Sequence, residues 1–479
     1  MNSPRSILSA TMLLAGALVT PAAELEVPGK PATQAAKFLF AATDVVMNHD
    51  LQPPTRQEMI YHCLKRMFQL TGGRRHPKLS QLASAIQKPA DLAQLIHRFF
   101  DKDSLAKMNK APELLLEGLR PDHFPRGEFG GALFEDSHES MVTKQFSENR
   151  YVGIGIALGT TGRDKDMRPQ VMQLLGKGPA YHGGLKQRDI LDRIDGRETK
   201  GIPLGQVIRW LRGAEGTRVK LLVRQPGEQT KRTLNITRAV VPIPSAVGHT
   251  ETEPGEHDYQ IEGNDIAYVR LNQITGATLN ELQQLDAKFI DSGIKAVILD
   301  LRHTTNPRDG SVHHPIMLAD GLLAGGKLGH VEEEGLKRNL AAGADSIFQD
   351  LPVAALIGRS TGSAAAWVAA ALQDNERASL IGRSFHGNMQ IQAAVPIPDY
   401  GGTLRLHTSR FQRAVQPQQT TSRQRFPFFE QSQTQPTLKP DIDVGEGRSD
   451  RPNRNRREPI PALETAEVKA AIHYLKGLI

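Results

Sequence analysis

The sequence predicts a multidomain α+β protein, and three observations predict it. Helical periodicity runs through roughly the first hundred ordered-looking residues, from about Pro31 to Arg120. Short β-like runs broken by glycine turns fill Tyr151 to Arg238. From about Asp265 onward, apolar strand-like runs alternate with amphipathic helical stretches, the signature of an α/β core with a mostly parallel sheet. A length of 479 residues fits two to four such domains.

The opening segment stands apart from these blocks. Met1 to Ala22 carries one basic residue, Arg5, then the apolar run ILSATMLLAGALV, then TPAA. This is the pattern of a secretory signal peptide, residues 1–23, with cleavage near Ala22 or Ala23. It predicts an exported protein, periplasmic or otherwise extracytoplasmic, with an uncleaved anchor as the alternative. No cysteine lies at the cleavage site, so a lipid anchor is not expected, and no later segment is long and apolar enough for a membrane span. The lone cysteine, Cys63, excludes an intrachain disulfide and sits in the helical pattern YHCLKRMF as a small apolar residue.

The helical block, residues 31–140, begins with AAKFLFAATDVVMNHD, whose apolar residues recur at helical spacing. TRQEMIYHCLKRMFQL follows, with Thr55 as N-cap and Glu58 three residues on, a capping box. KLSQLASAIQK, ADLAQLIHRFFDK and SLAKMNKAPELLLEGL continue the pattern. The next block, residues 148–240, reads YVGIGIALG, GKGPAYHGGLKQRDILDRIDG, PLGQVIRWLRGAEGTRVKLLVRQ and TKRTLNITR. Here Ile194-Asp195-Gly196 is a turn joining two strands, and Gln206 to Arg212, with Ile208, is a short helix. This ensemble resembles a PDZ domain, a β-barrel-like module. The resemblance implies that polypeptide C-termini are the partners: an extended tail adds to a sheet edge and its carboxylate meets backbone N–H groups of a glycine-rich loop. Val152, Gly153, Ile154, Gly155 and Ile156 take that loop and edge strand, with the two glycines permitting close backbone approach.

In the third block, residues 244–445, DIAYVRLNQI is a strand, TLNELQQLDAKFIDSG a helix ending at glycine, and KAVILDLR a continuous buried strand of the parallel type. HHPIMLADGLLAGG is the next helix, LPVAALIG a strand, GSAAAWVAAALQD a helix and SLIGRS a strand. TLRLHTSRF is a later strand, and a Gln-, Thr- and Ser-rich insertion at about 413–434 has the composition of disorder. The net charge of +7 draws heavily on one tract, RSDRPNRNRR at 448–457, within a basic linker spanning 446–460; it reads as a solvated loop, and no nucleic-acid partner is expected. The terminal block, 461–479, is one amphipathic helix, ETAEVKAAIHYLKGL. There is no zinc motif and no nucleotide fingerprint, so no cofactor and no metal are expected; the spacing of His303, His313, His314 and His386 enforces no ligand set. Oligomeric state is not legible.

The stretch Leu356 to Gln392, LIGRSTGSAAAWVAAALQDNERASLIGRSFHGNMQIQ, resembles the catalytic segment of the carboxy-terminal processing peptidases, the tail-specific serine proteases. ILDLRHTTNPRDG is similar to the family's ILDLRNNPGG loop, with Asp300, Leu301 and Arg302 matching and Asn306 and Pro307 displaced by two residues. LKPDIDV, Leu438 to Val444, is similar to its late Pro-Asp motif. The resemblance covers about two-thirds of the chain, from Tyr151 to the end. It implies a serine nucleophile at Ser363, opening a helix after a buried strand, and a glutamine at Gln392 that orients the general base. The lysine that serves as base falls at Asn388.

Asparagine cannot take the serine proton, because its amide does not titrate near neutral pH. The family's paired glycines, which help donate backbone N–H groups to the oxyanion, are replaced by Arg308, Asp309 and Gly310, leaving Gly362 and Gly310 as oxyanion candidates. Together these departures imply a tail-binding family member whose peptidase activity is lost or strongly impaired. Two alternatives stay open: an active serine endopeptidase using His386 or another lysine as base, and a scaffold or regulatory partner of an active paralogue.

Overall fold

The computed structural model describes residues 30–51, 53–71, 77–101, 103–105, 133–136, 149–162, 166–261, 263, 265–307, 309–333, 335–400, 402–415, 437–445 and 462–479. The signal segment, most of SLAKMNKAPELLLEGL, most of the 413–434 insertion and the basic tract at 448–457 lie outside the described residues. Two compact units share the chain: residues 1–44 with 54–131, and residues 45–53 with 132–479.

The first unit is helical. Its Arg56–Leu70 helix begins on the capping box the sequence announces: the Glu58 N–H donates to Thr55 Oγ1 at 3.3 Å, and the Thr55 N–H donates back to the Glu58 carboxylate at 2.9 Å. Met59, Ile60, Cys63, Leu64, Met67 and Phe68 recur at helical spacing and form its buried face. Burying each large apolar side chain contributes roughly 1.5–3 kcal/mol. Cys63 lies fully inside, where burial pushes its thiol far above the ordinary range and leaves it a packing residue. Helices Leu79–Ser84 and Pro89–Phe99 follow, and Phe68 packs against the Phe99 and Phe100 rings.

The second unit opens with a small antiparallel sheet in spatial order Ile156–Thr161, Arg168–Leu174, Ile190–Ile194, Arg218–Arg224, Arg232–Thr237. The turn at Asp195 and Gly196 has positive φ at both positions, 46° and 79°, as a two-residue hairpin requires. The helix Leu204–Leu211 buries Val207 and Leu211 into a core with Val171, Leu191, Val219 and Ile236. A separate two-stranded ribbon, Arg150–Gly153 with Ala239–Pro242, carries the chain into and out of this module.

The remainder is the α/β core. Five strands run parallel in the order Ile266–Leu271, Ala296–Asp300, Val353–Ile357, Ala378–Gly382, Ile442–Asp443, with Ala246–Val247 antiparallel at one edge. Ala296–Asp300 and Val353–Ile357 are buried at every residue, which explains their unbroken apolar sequence. Helices Thr278–Asp291, His313–Gly321 and Ser363–Asp374 bury their apolar residues in one cluster, while the terminal helix Ala466–Lys476 joins a second cluster with Ile266, Tyr268, Ile298 and Leu356. The alternate packing of the strand residues between these two clusters places helices on both faces. A second sheet is antiparallel. Its long strand Gly402–Gln412 pairs with Leu133–Asp136, Lys327–Glu333 and Gln390–Pro396, and Lys327–Glu333 also pairs with Leu336–Ala341. Trp367, fully buried on the Ser363–Asp374 helix, stacks on Phe411 of this sheet at 4.2 Å between centroids.

Candidate active site and peptide groove

The elements around Ser363 are fixed from both sides. The strand Val353–Ile357 ends at a tight turn in which the Gly358 N–H donates to Thr361 Oγ1 at 2.9 Å. Gly362 then caps the helix, and Ser363 is its first residue, half-buried. The small residue at 362 is required sterically: a Cβ there would lie 2.6 Å from the Thr304 carbonyl oxygen and 2.9 Å from Asn306 Oδ1. Those two residues belong to the loop following Ala296–Asp300, the loop that resembles ILDLRNNPGG. The loop is tied to the neighbouring strand, with Thr304 Oγ1 donating to the Leu271 carbonyl at 2.7 Å.

The hydrogen bonds between loop and helix decide what the site can do. The Gly362 N–H donates to Thr304 O at 2.9 Å, and the Ala364 N–H donates to the Asn306 carboxamide oxygen at 2.9 Å. The Gly310 N–H donates to Pro307 O at 3.2 Å, closing a turn. The N–H groups of both oxyanion candidates are thus committed to protein carbonyls, and so is that of the residue after Ser363. The Ser363 N–H is left without a hydrogen bond among the described residues. Asn306 supplies the cap that Gly362, lacking a side chain, cannot.

Gly310 also links the loop to the strand bearing Gln392. It has φ +74°, and a Cβ on it would lie 2.4 Å from Ala393 Cα and 2.8 Å from the Gln392 carbonyl oxygen. The loop therefore bridges Ser363 and Gln392. The geometry differs from the expectation that Gln392 orients position 388. The Gln392 side chain meets His407, with their Nε2 atoms 3.1 Å apart across the antiparallel pairing of Gln390–Pro396 with Gly402–Gln412. Asn388 is exposed, and its amide donates to Gln390 Oε1 at 2.5 Å while its oxygen accepts the Gln390 N–H at 3.2 Å. His386 is exposed as well. Ser363 Oγ has no hydrogen-bond partner among the described residues.

His407 is the residue that sequence reasoning passed over, reading TLRLHTSRF only as a strand. Burial pulls its pKa below the ordinary range, and Arg410 adds to this while Asp50 opposes it. It is a neutral imidazole at neutral pH. Only the register of the two strands reveals that it faces Gln392.

Behind the loop lies a buried ionic network. Asp300, at the end of its strand, is 1% exposed. It accepts Arg302 Nε at 3.0 Å, an Arg302 terminal nitrogen at 2.7 Å and the Tyr268 hydroxyl at 2.5 Å. Arg302 also reaches the terminal helix, bonding Thr465 Oγ1 at 3.0 Å and Glu467 at 3.1 Å. Burial alone would raise the Asp300 pKa, but the Arg302 contacts and the Tyr268 hydroxyl bring it below the usual carboxylate range. Burial likewise raises the Tyr268 phenol, reinforced by the Asp300 charge.

In the small antiparallel module, Ile156–Thr161 is an edge strand and the Leu204–Leu211 helix lies against it. This is the groove geometry that strand addition needs. Gly155 turns the chain into that strand with φ +81°, and Ile208 is half-buried on the helix. Two of the predicted positions have partners within the protein. Ile154 is 2% exposed, its side chain in the module's core and its carbonyl accepting the Ala180 N–H at 2.7 Å. Val152 pairs with Val240 in the ribbon.

Comparison with known proteins matches two segments of the chain to family models. Residues 265–424 match the model of Peptidase family S41, and residues 171–225 match that of the PDZ domain. The chain carries a Peptidase family S41 segment and a PDZ segment, and it is similar to the carboxy-terminal processing proteases. A carboxy-terminal-processing protease of Bartonella bacilliformis is 27% identical over 286 residues, 58% of this chain and 61% of that protein. A carboxyl-terminal-processing protease of Picosynechococcus is 27% identical over 277 residues, covering 57% and 64%. The chain thus spans a little over six-tenths of the length of these relatives. Among solved structures, the PDZ domain of a carboxy-terminal protease from Vibrio cholerae, in complex with peptide, is 26% identical and covers 20% of this chain and 99% of that one, with a TM-score of 0.18. No helix among the described residues is long and apolar enough to cross a membrane, and none of their His, Cys, Asp and Glu side chains cluster as a metal site.

Proposed function

We propose that this chain belongs to the carboxy-terminal processing protease family, that it is an exported protein binding polypeptide C-termini through its PDZ domain, and that its peptidase activity is lost or strongly impaired. One observation carries the second half. The position aligned with the lysine base is an exposed asparagine bonded to Gln390, and Ser363 Oγ has no proton acceptor among the described residues. A serine without a base retains roughly 10³- to 10⁴-fold over water, and only where the oxyanion donors survive. Here the Gly362, Ala364 and Gly310 amides are already committed, so even that residue is eroded. Export rests on the N-terminal pattern, and tail binding on the edge strand, its glycine turn and the flanking helix.

The experiment is to incubate the purified protein and its Ser363→Ala variant with unstructured peptides ending in apolar residues and to follow cleavage by mass spectrometry. Identical, background-level traces are expected. Cleavage present in the parent and absent from the variant would overturn the inactive reading.

One observation favours a second reading. His407, a half-buried neutral imidazole bonded to Gln392, is a candidate base alongside exposed His386. Were Ser363-dependent cleavage found, this reading expects His407→Gln to abolish it and His386→Gln to leave it intact. Its pH profile would hold below the ordinary histidine pKa, because burial delays protonation of His407.

A further inference from the structure

A tyrosine occupies the backbone amides at the turn that leads into the edge strand of the PDZ domain. The Tyr151 ring folds back over Gly153, where an added Cβ would lie 2.4 Å from the ring edge. The glycine is what makes room for it. The Tyr151 hydroxyl accepts the Ile156 N–H at 3.2 Å, and the Gly155 backbone bonds the same oxygen. These amides belong to the turn that leads into the edge strand, where a ligand's terminal carboxylate would accept. Burial raises the phenol pKa, so the oxygen held there is neutral.

The second observation is Arg212, the residue that ends the Leu204–Leu211 groove helix. Its guanidinium is half-buried, burial lowers its pKa, and Tyr151 is the one titratable group that acts on it in the opposite sense. Among the described residues it forms no ion pair. A partly desolvated cation with no carboxylate partner among the described residues is an incomplete arrangement, since buried charge is stable when paired. A planar carboxylate is the partner for which a guanidinium fork is shaped.

We propose that the Tyr151 hydroxyl is an internal stand-in for a ligand carboxylate and that Arg212 is the cation awaiting the real one. On binding, the α-carboxylate of a peptide tail takes the Ile156 and Gly155 amides, the phenol swings away, and the carboxylate pairs with Arg212. The exchange is favourable because hydrogen bonds to a charged acceptor are roughly twice as strong as those to a neutral one. It also makes the groove selective, because an amidated terminus or an internal loop offers no charge to displace the phenol. This rests on the tail-binding reading above and names the residues that enforce it.

The test uses the full chain carrying Ser363→Ala, so that cleavage cannot intrude, and a fluorescein-labelled decapeptide ending Leu-Ala-Ala as free acid or as amide. Binding is read by fluorescence anisotropy. The expected results are an acid form bound at least about 10-fold more tightly than the amide, and Arg212→Gln weakening the acid form about 10- to 100-fold with the amide form unmoved. Tyr151→Phe keeps the ring over Gly153 and removes the competing oxygen. It should tighten the acid form about 3- to 10-fold, as relief of a closed state requires. Trp210 fluorescence through a denaturant titration checks that each variant is folded. An unchanged or weaker acid affinity in Tyr151→Phe overturns the stand-in, and an unchanged acid affinity in Arg212→Gln overturns the clamp. If neither parent nor Tyr151→Phe binds either peptide, tail binding itself is refuted; acid and amide bound equally by the parent refutes the carboxylate site while leaving a groove.

Discussion

Replacing Arg302 by Met strips the buried Asp300 carboxylate of its cation. Asp300 is 1% exposed, and the Arg302 side chain is 11% exposed, so water does not take over. Two outcomes compete. The carboxylate can stay ionised and unpaired, or it can take up a proton. Protonating a carboxylate of ordinary pKa near 3.9 at pH 7 costs about three pKa units at 1.36 kcal/mol each, about 4 kcal/mol. That sets a ceiling for this group and matches the roughly 3–5 kcal/mol lost when one partner of a buried pair is removed. The deficit depends on pH, with a definite sign. In the parent, Asp300 has a lowered pKa, so its contribution is present above the unfolded-state value near 3.9 and fades as pH falls through the folded-state value. In the variant its pKa is raised, so the cost is largest at neutral pH and is relieved on acidification. The gap between the two proteins should narrow by roughly 2.7 kcal/mol between pH 7 and pH 5, two pKa units.

The assay is urea unfolding followed by Trp367 fluorescence in a Trp210→Phe background, since these are the chain's two tryptophans and Trp367 is fully buried in the core. Adding Asp300→Asn to Arg302→Met should recover much of the loss, because a buried pair replaced on both sides leaves no stranded charge. A loss below about 1 kcal/mol at pH 7, or one that does not change with pH, would refute the reasoning.

Gly310→Ala combines a left-handed backbone with a Cβ 2.4 Å from Ala393, so destabilisation of at least about 1–3 kcal/mol is expected, measured by the same unfolding curve. Thr55→Ala removes the side-chain half of a capping box and should cost about 1 kcal/mol, read by helical circular dichroism through the urea transition. Asn388→Lys should not restore cleavage at pH 7. An exposed lysine with the ordinary pKa near 10.4 is roughly 0.04% neutral there, and the Ala364 amide remains occupied by Asn306. Rapid peptide turnover by that single variant at neutral pH would show an intact site awaiting only its amine.

Local features of this chain were legible because they are written in neighbouring residues. The Thr55 and Glu58 box, the Asp195-Gly196 turn, the unbroken run ending in Asp300 and the glycine before Ser363 all appear where their local chemistry requires. What escaped depends on distant pairings. Arg302 and Glu467 are 165 residues apart, and nothing near either announces the other. His407 meets Gln392 through a strand register that includes a bulge, and a one-residue slip would have sent it elsewhere. The hairpins Thr250–Glu253 with Glu256–Asp258, and Lys327–Glu333 with Leu336–Ala341, are not legible in the sequence, because their polar alternation lacks a strong apolar face. At the site, residue types pointed to the missing base. They did not show that Asn306 would sit on the amide beside the nucleophile.

The reactivity of one oxygen is the most direct probe of the central claim. Incubation with a fluorophosphonate at pH 7, followed by intact-mass spectrometry of the parent and of Ser363→Ala, reports whether anything deprotonates that hydroxyl. The account predicts no adduct beyond the slow background shared by both proteins. Stoichiometric labelling of the parent that disappears in Ser363→Ala would contradict it.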